Sequence, residues 1–217
     1  MRNLSLNNGR STVSRILCLG AHADDIEIGC GGTILKWLSE GDDIEVRWVV
    51  FSASEERKLE ATKSAEAFLQ DAGQKQIVIQ SFRDGFLPYE GSAVKEYVEE
   101  LKADYSPDLI LTHYREDLHQ DHRLISELTW NTFRDHFILE YEVPKYDGDF
   151  GSPNVFVHLD EALCRQKIDY ILSFFQTQRD KRWFSRDLFL SMLRLRGMES
   201  NAPSTYAEAF YGRKLIV

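Results

Sequence analysis

The sequence predicts an α/β fold, a three-layer sandwich around a mostly parallel sheet. Two observations predict it. Short apolar runs such as Ile16–Leu19 and Val49–Phe51 lack polar alternation, which marks strands buried on both faces. Each of the first three runs is followed by a segment with apolar residues at three- and four-residue spacing, ended by Gly or Pro, before the next run begins. Strand and helix alternating in this way is the pattern of right-handed βαβ units in a Rossmann-like sheet. With 217 residues the chain is long enough to bury one sizeable core. Residues 1–14 read as a polar leader and 15–217 as a single domain.

In chain order, the first strand runs from Arg15 to Gly20, and Gly29–Gly41 reads as the first helix, with Ile34, Leu35 and Leu38 on one face and Gly41 as its stop. The glycines at its start (Gly29, Gly31, Gly32) permit a tight turn and close helix–strand packing. Ile44–Phe51 is a second strand, rich in Val and Ile, and Glu55–Ala72 a second helix closed by Gly73. Gln76–Phe82 is a third strand, Arg83–Pro88 a turn, Ser92–Tyr105 a third helix and Asp108–Thr112 a fourth strand. A helix to about Arg134 follows. Phe137–Val143 and Asn154–His158 read as strands joined by a Pro/Gly/Asp-rich link, Glu161–Phe175 and Ser185–Arg196 as helices, and Ala202–Val217 as partly extended.

The totals exclude several classes of function. A net charge of −9 argues against a nucleic-acid surface, which needs clustered Lys and Arg. No run of about 18 apolar residues offers a membrane span. The first residues lack the apolar core of a signal peptide, and Cys18, Cys30 and Cys164 form neither a CxxC pair nor an even set. A reducing cytoplasm is the compartment expected.

Chemistry concentrates at two strand ends. The first strand runs into His22-Ala23-Asp24-Asp25, and the fourth into His113 and, six residues on, His119-Gln120-Asp121-His122. In a doubly wound sheet, strands one and four are neighbours where the strand order reverses, and ligands bind at their carboxyl ends. Imidazole and carboxylate suit Zn²⁺, and catalytic zinc takes three protein ligands and leaves one position open. Three ligands drawn from His22, Asp25, His119 and His122 leave one residue for acid–base work. Asp24, beside a ligand but directed differently, sits where a carboxylate base acts on water. Each piece alone has an ordinary explanation: a histidine after a strand is commonly a loop residue, paired Asp before a helix a cap, and HxxH a solvated helix face. Their joint placement is what favours the metal. His113 reads as a structural support rather than a ligand, and His136 and His158 have no partners nearby in sequence.

Ala21-His22-Ala23-Asp24-Asp25-Ile26-Glu27 with Gly29-Cys30-Gly31-Gly32-Thr33 resembles the AHPDDxExGCGGT opening of the LmbE-like, or PIG-L-type, N-acetylglucosaminyl deacetylases. His113 and the run His119-Gln120-Asp121-His122-Arg123 are similar to that family's second motif, HxxDH or HPDH. Asp84-Gly85 and Tyr206-Ala207-Glu208-Ala209-Phe210 add weaker matches, so the likeness runs from about residue 15 to 212. The resemblance implies an LmbE-like fold and a zinc-dependent hydrolase that removes an N-acetyl group from an amino-sugar substrate. It implies zinc held by His22, Asp25 and His122, Asp24 as general base, His119 as stabiliser of the oxyanion, Asp121 as the residue orienting His119, and Arg57 as a substrate contact. Two departures stand out: Ala23 replaces the usual proline, and Asp117 stands two residues before His119 where some relatives carry a tyrosine, which leaves Asp24 or His119 as proton donor. The rivals are a zinc hydrolase of a non-sugar amide and a metal-free nucleotide-binding module. Against the second, the glycines do not spell GxGxxG and follow an acidic cluster that repels phosphate.

Overall fold

The computed structural model describes residues 13–40 and 43–215. Residues 1–12 of the expected leader, and Gly41, expected to stop the first helix, lie outside the described residues. The described elements follow the order β1 (Arg15–His22), α1 (Asp25–Glu40), β2 (Glu45–Ser52), α2 (Glu55–Phe68), β3 (Gln74–Ile79), α3 (Gly91–Asp104), β4 (Leu109–His113), α4 (Gln120–Thr132), β5 (Phe137–Tyr141), β6 (Val155–Leu159), α5 (Glu161–Phe174), α6 (Arg186–Glu199) and β7 (Tyr206–Gly212).

The sheet has the order β3-β2-β1-β4-β5-β7-β6. Strands β1 to β5 are parallel, and β7 runs antiparallel between β5 and β6. Helices cover both faces. Ile16 and Cys18 of β1 pack in a core with α1, α2, α5 and α6, whereas Leu17 and Leu19 pack in a second core with α3 and α4. The period-2 alternation of a strand with both faces buried therefore divides β1 between two cores. This is the expected three-layer α/β sandwich.

Two features differ from the sequence reading. The first helix starts at Asp25 rather than Gly29, so Gly29, Gly31 and Gly32 are helical and make no turn. Each is a point of close approach: a Cβ would lie 2.1 Å from the Tyr141 ring at Gly29, 2.6 Å from Phe68 at Gly31 and 2.5 Å from Leu159 at Gly32. The second helix ends at Phe68, four residues early. The two strands expected at Phe137–Val143 and Asn154–His158 are present as β5 and β6, and β7 lies between them in the sheet. Among the described residues no helix is long and apolar enough to cross a membrane. The three cysteines are free and buried, and burial pushes the Cys30 thiol well above its ordinary pKa, which makes it an inert packing group.

Candidate active site

Strands β1 and β4 lie side by side, with Cys18 opposite Leu111, and their carboxyl ends deliver His22 and His113 to the same edge of the sheet. The chain turns into α1 through Asp24, which holds a positive φ of 104°, and its carbonyl accepts the N–H of Ile28. A non-glycine residue pays strain for that conformation. The turn sends the carboxylates of Asp24 and Asp25 in different directions. On the β4 side, His119 caps α4: its Nδ1 accepts the N–H of Asp121 at 3.3 Å. That cap places His122 in the first turn of the helix, over the end of β1.

Three donor atoms meet. His22 Nδ1 is 3.2 Å from His122 Nε2, and Asp25 Oδ2 is 3.4 Å from each of them. Donors about 2.0–2.1 Å from a tetrahedral zinc lie about 3.3–3.4 Å apart, so this triangle has the size of a tetrahedral face. His22, Asp25 and His122 are all buried. Further groups that could hold an ion overlap this one: His22 with His119 and His122, Asp25 with His113 and His122, and His22 with Asp84 and Asp121. His113 supports the cluster from below, stacked on His122 at 4.0 Å with its Nε2 accepting the N–H of Ala21 at 2.8 Å.

The electrostatics separate the groups. Burial pushes Asp25 up, but its contacts with His122, His113 and His22 outweigh it and hold the carboxyl well below its usual range. Burial raises Asp24 to about 7 against the opposing Arg57, with the Asp25 charge adding to the rise. Burial lowers His122 to about 4, helped by His113. His119 is lowered by burial and by His22. Burial also opposes protonation of His22, but the carboxylates of Asp121 and Asp25 more than offset it and hold the ring protonated when no metal is bound. His119 is thus neutral near pH 7. Because its Nδ1 is the acceptor, Nε2 carries the hydrogen.

One of the expected contacts differs. The Asp121 carboxylate does not reach His119; its Oδ2 lies 3.1 Å from His22 Nε2 and accepts the N–H of Gly85, and its Oδ1 accepts that of Leu87. The first turn of α4 points the side chain of Asp121 towards the 85–87 backbone, and only its N–H meets His119. Arg57, expected to touch substrate, pairs with Asp24 Oδ2 at 3.0 Å and donates to the carbonyl of Ala23. It still borders the cavity above the cluster, a space of about 200 Å³ walled by Val143–Tyr146 and Trp183.

The sequence reading offers Asp84 only as a weaker family match and gives no sign of Lys145; Asp84 Oδ1 is 3.2 Å from His22 Nε2, and Lys145 is 2.7 Å from Asp117. It noted Asp117 only as a departure, yet Asp117 Oδ2 lies 2.9 Å from His122 Nδ1. The alternation Asp117-x-His119-x-Asp121 was the one local signal. Asp84 and Lys145 come from loops that only the topology brings here.

A family model described as PIG-L, GlcNAc-PI de-N-acetylase, matches residues 17–133, more than half of the chain and both strand-end motifs. The chain belongs to the PIG-L family. Solved structures repeat the fold. An N,N'-diacetylchitobiose deacetylase from Pyrococcus horikoshii is 23% identical with a TM-score of 0.70, over 92% of this chain and 84% of that one. The 4-carboxy-2-hydroxymuconate hydratase GalB from Pseudomonas putida is 15% identical with a TM-score of 0.71, over 94% and 98%. The zinc-inhibited form of a teicoplanin deacetylase is 12% identical with a TM-score of 0.68, over 91% and 97%. At these identities the likeness is one of fold, and the PIG-L fold carries more than one chemistry.

Proposed function

We propose that the protein is a zinc-dependent deacetylase that hydrolyses the N-acetyl group of an amino-sugar-containing substrate. The observation that carries this reading is the buried donor triangle of His22, Asp25 and His122, with Asp24 held apart beside it at a raised pKa. Membership of a family described as a GlcNAc-PI de-N-acetylase, and a chitobiose deacetylase and a teicoplanin deacetylase among the structural neighbours, support the amide and the sugar. A cytoplasmic setting belongs to the same reading and is supported by three buried free thiols.

His22, Asp25 and His122 would hold the ion. Zinc there supplies Lewis acidity, polarising the acetyl carbonyl and lowering the pKa of water towards about 7. The chain's own residues do the rest. Asp24, poised near neutrality, removes a proton from the attacking water. His119, neutral and with its hydrogen on Nε2, donates to the carbonyl oxygen as negative charge develops there. Asp24 then returns its proton to the departing amine, and acetate and a free amine leave. Arg57 restrains the Asp24 carboxylate throughout by its ion pair and its bond to the Ala23 carbonyl.

The test combines metal content with a screen of N-acetylated sugars scored by free amine. Chelation abolishes amine release and zinc restores it. Asp24→Ala binds one zinc as tightly as wild type and loses about 10²–10⁴-fold in kcat. A variant that turns over normally removes Asp24 from this role, and a wild-type protein that takes up no zinc overturns the reading.

A further inference from the structure

Each histidine of the donor triangle has a carboxylate behind it, and the two carboxylates are held by different loops. Behind His22, Asp121 is held by main-chain N–H groups of Gly85 and Leu87. Behind His122, Asp117 is 1% exposed; its Oδ1 accepts the N–H of His119 at 2.8 Å and its Oδ2 lies 2.9 Å from His122 Nδ1. That same Oδ2 is 2.7 Å from the ammonium of Lys145. Lys145 belongs to the loop after β5, donates to the Val143 carbonyl at 2.9 Å and pairs with Asp149 at 2.8 Å, so it knots its own loop while reaching the centre.

We propose that Lys145 is a positioning residue for the metal centre: through Asp117 it fixes the ring of His122, so that the 143–149 wall of the cavity and the ligand set move as one body. The inference rests on the reading that His22, Asp25 and His122 bind zinc. An imidazole whose outer N–H is held by a carboxylate keeps its other nitrogen aimed and available for the ion, and removing such a partner weakens metal binding. The two arms differ in kind. Asp121 is fixed by backbone that no substitution removes, whereas Asp117 depends on a long side chain from another loop. Lys145 acts on His122 only through Asp117, which sets a condition on how the two substitutions combine.

The experiment is a double-mutant cycle read as zinc affinity, by competition with a chromophoric chelator, on wild type, Lys145→Gln, Asp117→Asn and the double variant. Lys145→Gln weakens zinc binding by about tenfold and Asp117→Asn by about 10–100-fold, and the double variant binds no more weakly than Asp117→Asn alone. Lys145→Arg, which retains the charge, keeps near wild-type affinity; this rescue separates positioning from general loosening of the loop, and circular dichroism of the zinc-free proteins confirms that each is folded. Unchanged zinc affinity in Lys145→Gln, or losses that multiply in the double variant, overturns the inference while the deacetylase reading stands. A wild-type protein that binds no zinc overturns both.

Discussion

Asp24 and Asp25 are adjacent, both buried, and pushed in opposite directions. Asp25 faces His122 and His113 and is held ionised; burial raises Asp24 to about 7 although Arg57 opposes the rise. As the proposed base, Asp24 must be ionised to accept a proton, so kcat/KM is expected to fall as pH drops, with an acid limb at or below about 7, since a cation bound beside Asp24 would move the limb down. Arg57 favours the ionised form, so Arg57→Met moves that limb to higher pH; a limb that stays in place would mean another group titrates. Glu27 makes a different point. Both its carboxylate oxygens are buried without partners, and burial raises its pKa from 4.5 to about 8. Its neutral form is the one the fold accepts, so its contribution is intact below about 4.5 and is lost as pH rises towards 8. Glu27→Gln is therefore stabilised over wild type by on the order of 3 kcal/mol at pH 7, with the gap closing towards pH 5, as urea unfolding of the zinc-free proteins would register. The residues legible in the sequence were those at strand ends, His22, Asp25, His119 and His122, because the end of an apolar run fixes where a side chain goes. Asp121 was assigned the wrong neighbour because the capped turn of α4 fixes its direction, and sequence spacing does not reveal that turn.

Helix α1 joins the site to the core through residues that ordinarily disfavour a helix. Gly29, Gly31 and Gly32 cost it backbone entropy. In return, Tyr141 lies against Gly29 and donates its hydroxyl to the Leu19 carbonyl at 2.6 Å, and Phe68 lies against Gly31. Gly29→Ala forces a Cβ into the Tyr141 ring and lowers stability by about 1–3 kcal/mol; a chemical-denaturation midpoint no lower than that of wild type would show that the ring has room to yield. This packing is also why the start of α1 was not legible. Local propensity favoured a turn at the glycines, while the partners that make them helical come from β5, α2 and β6, far away in sequence. Strands β1, β2 and β4 were read to within a few residues because an unbroken apolar run is a local property. The N-terminus of α1 is occupied by the carboxylates of Asp24 and Asp25, which repel the phosphate that a nucleotide-binding module would place there.

Across the whole molecule, one buried ion pair ties the late part of the chain to the early part. Glu208 of β7 accepts the N–H groups of Gly32 and Thr33 at 2.8 and 2.6 Å and pairs with Lys167 of α5 at 2.6 Å, while Lys167 also donates to the Ile28 carbonyl. Breaking such a pair leaves a buried charge without its counter-charge, so Glu208→Gln costs about 3–5 kcal/mol. A loss below about 1 kcal/mol, measured by equilibrium unfolding, would mean that Lys167 finds another partner. The place of β7 in the sheet governs the order in which the protein can assemble. Among the described residues, β7 is the last of seven strands in chain order yet lies between β5 and β6, and β6 pairs with β7 alone. During synthesis the parallel half of the sheet has all its strands long before residue 206 leaves the ribosome, while β6 waits with both edges unpaired. Arrival of the last strand then seats β6 and sets Glu208 against α1 in the same event. Pairing of β7 between β5 and β6 therefore couples the seating of β6 to the contact that Glu208 makes with α1, the helix that begins at Asp25.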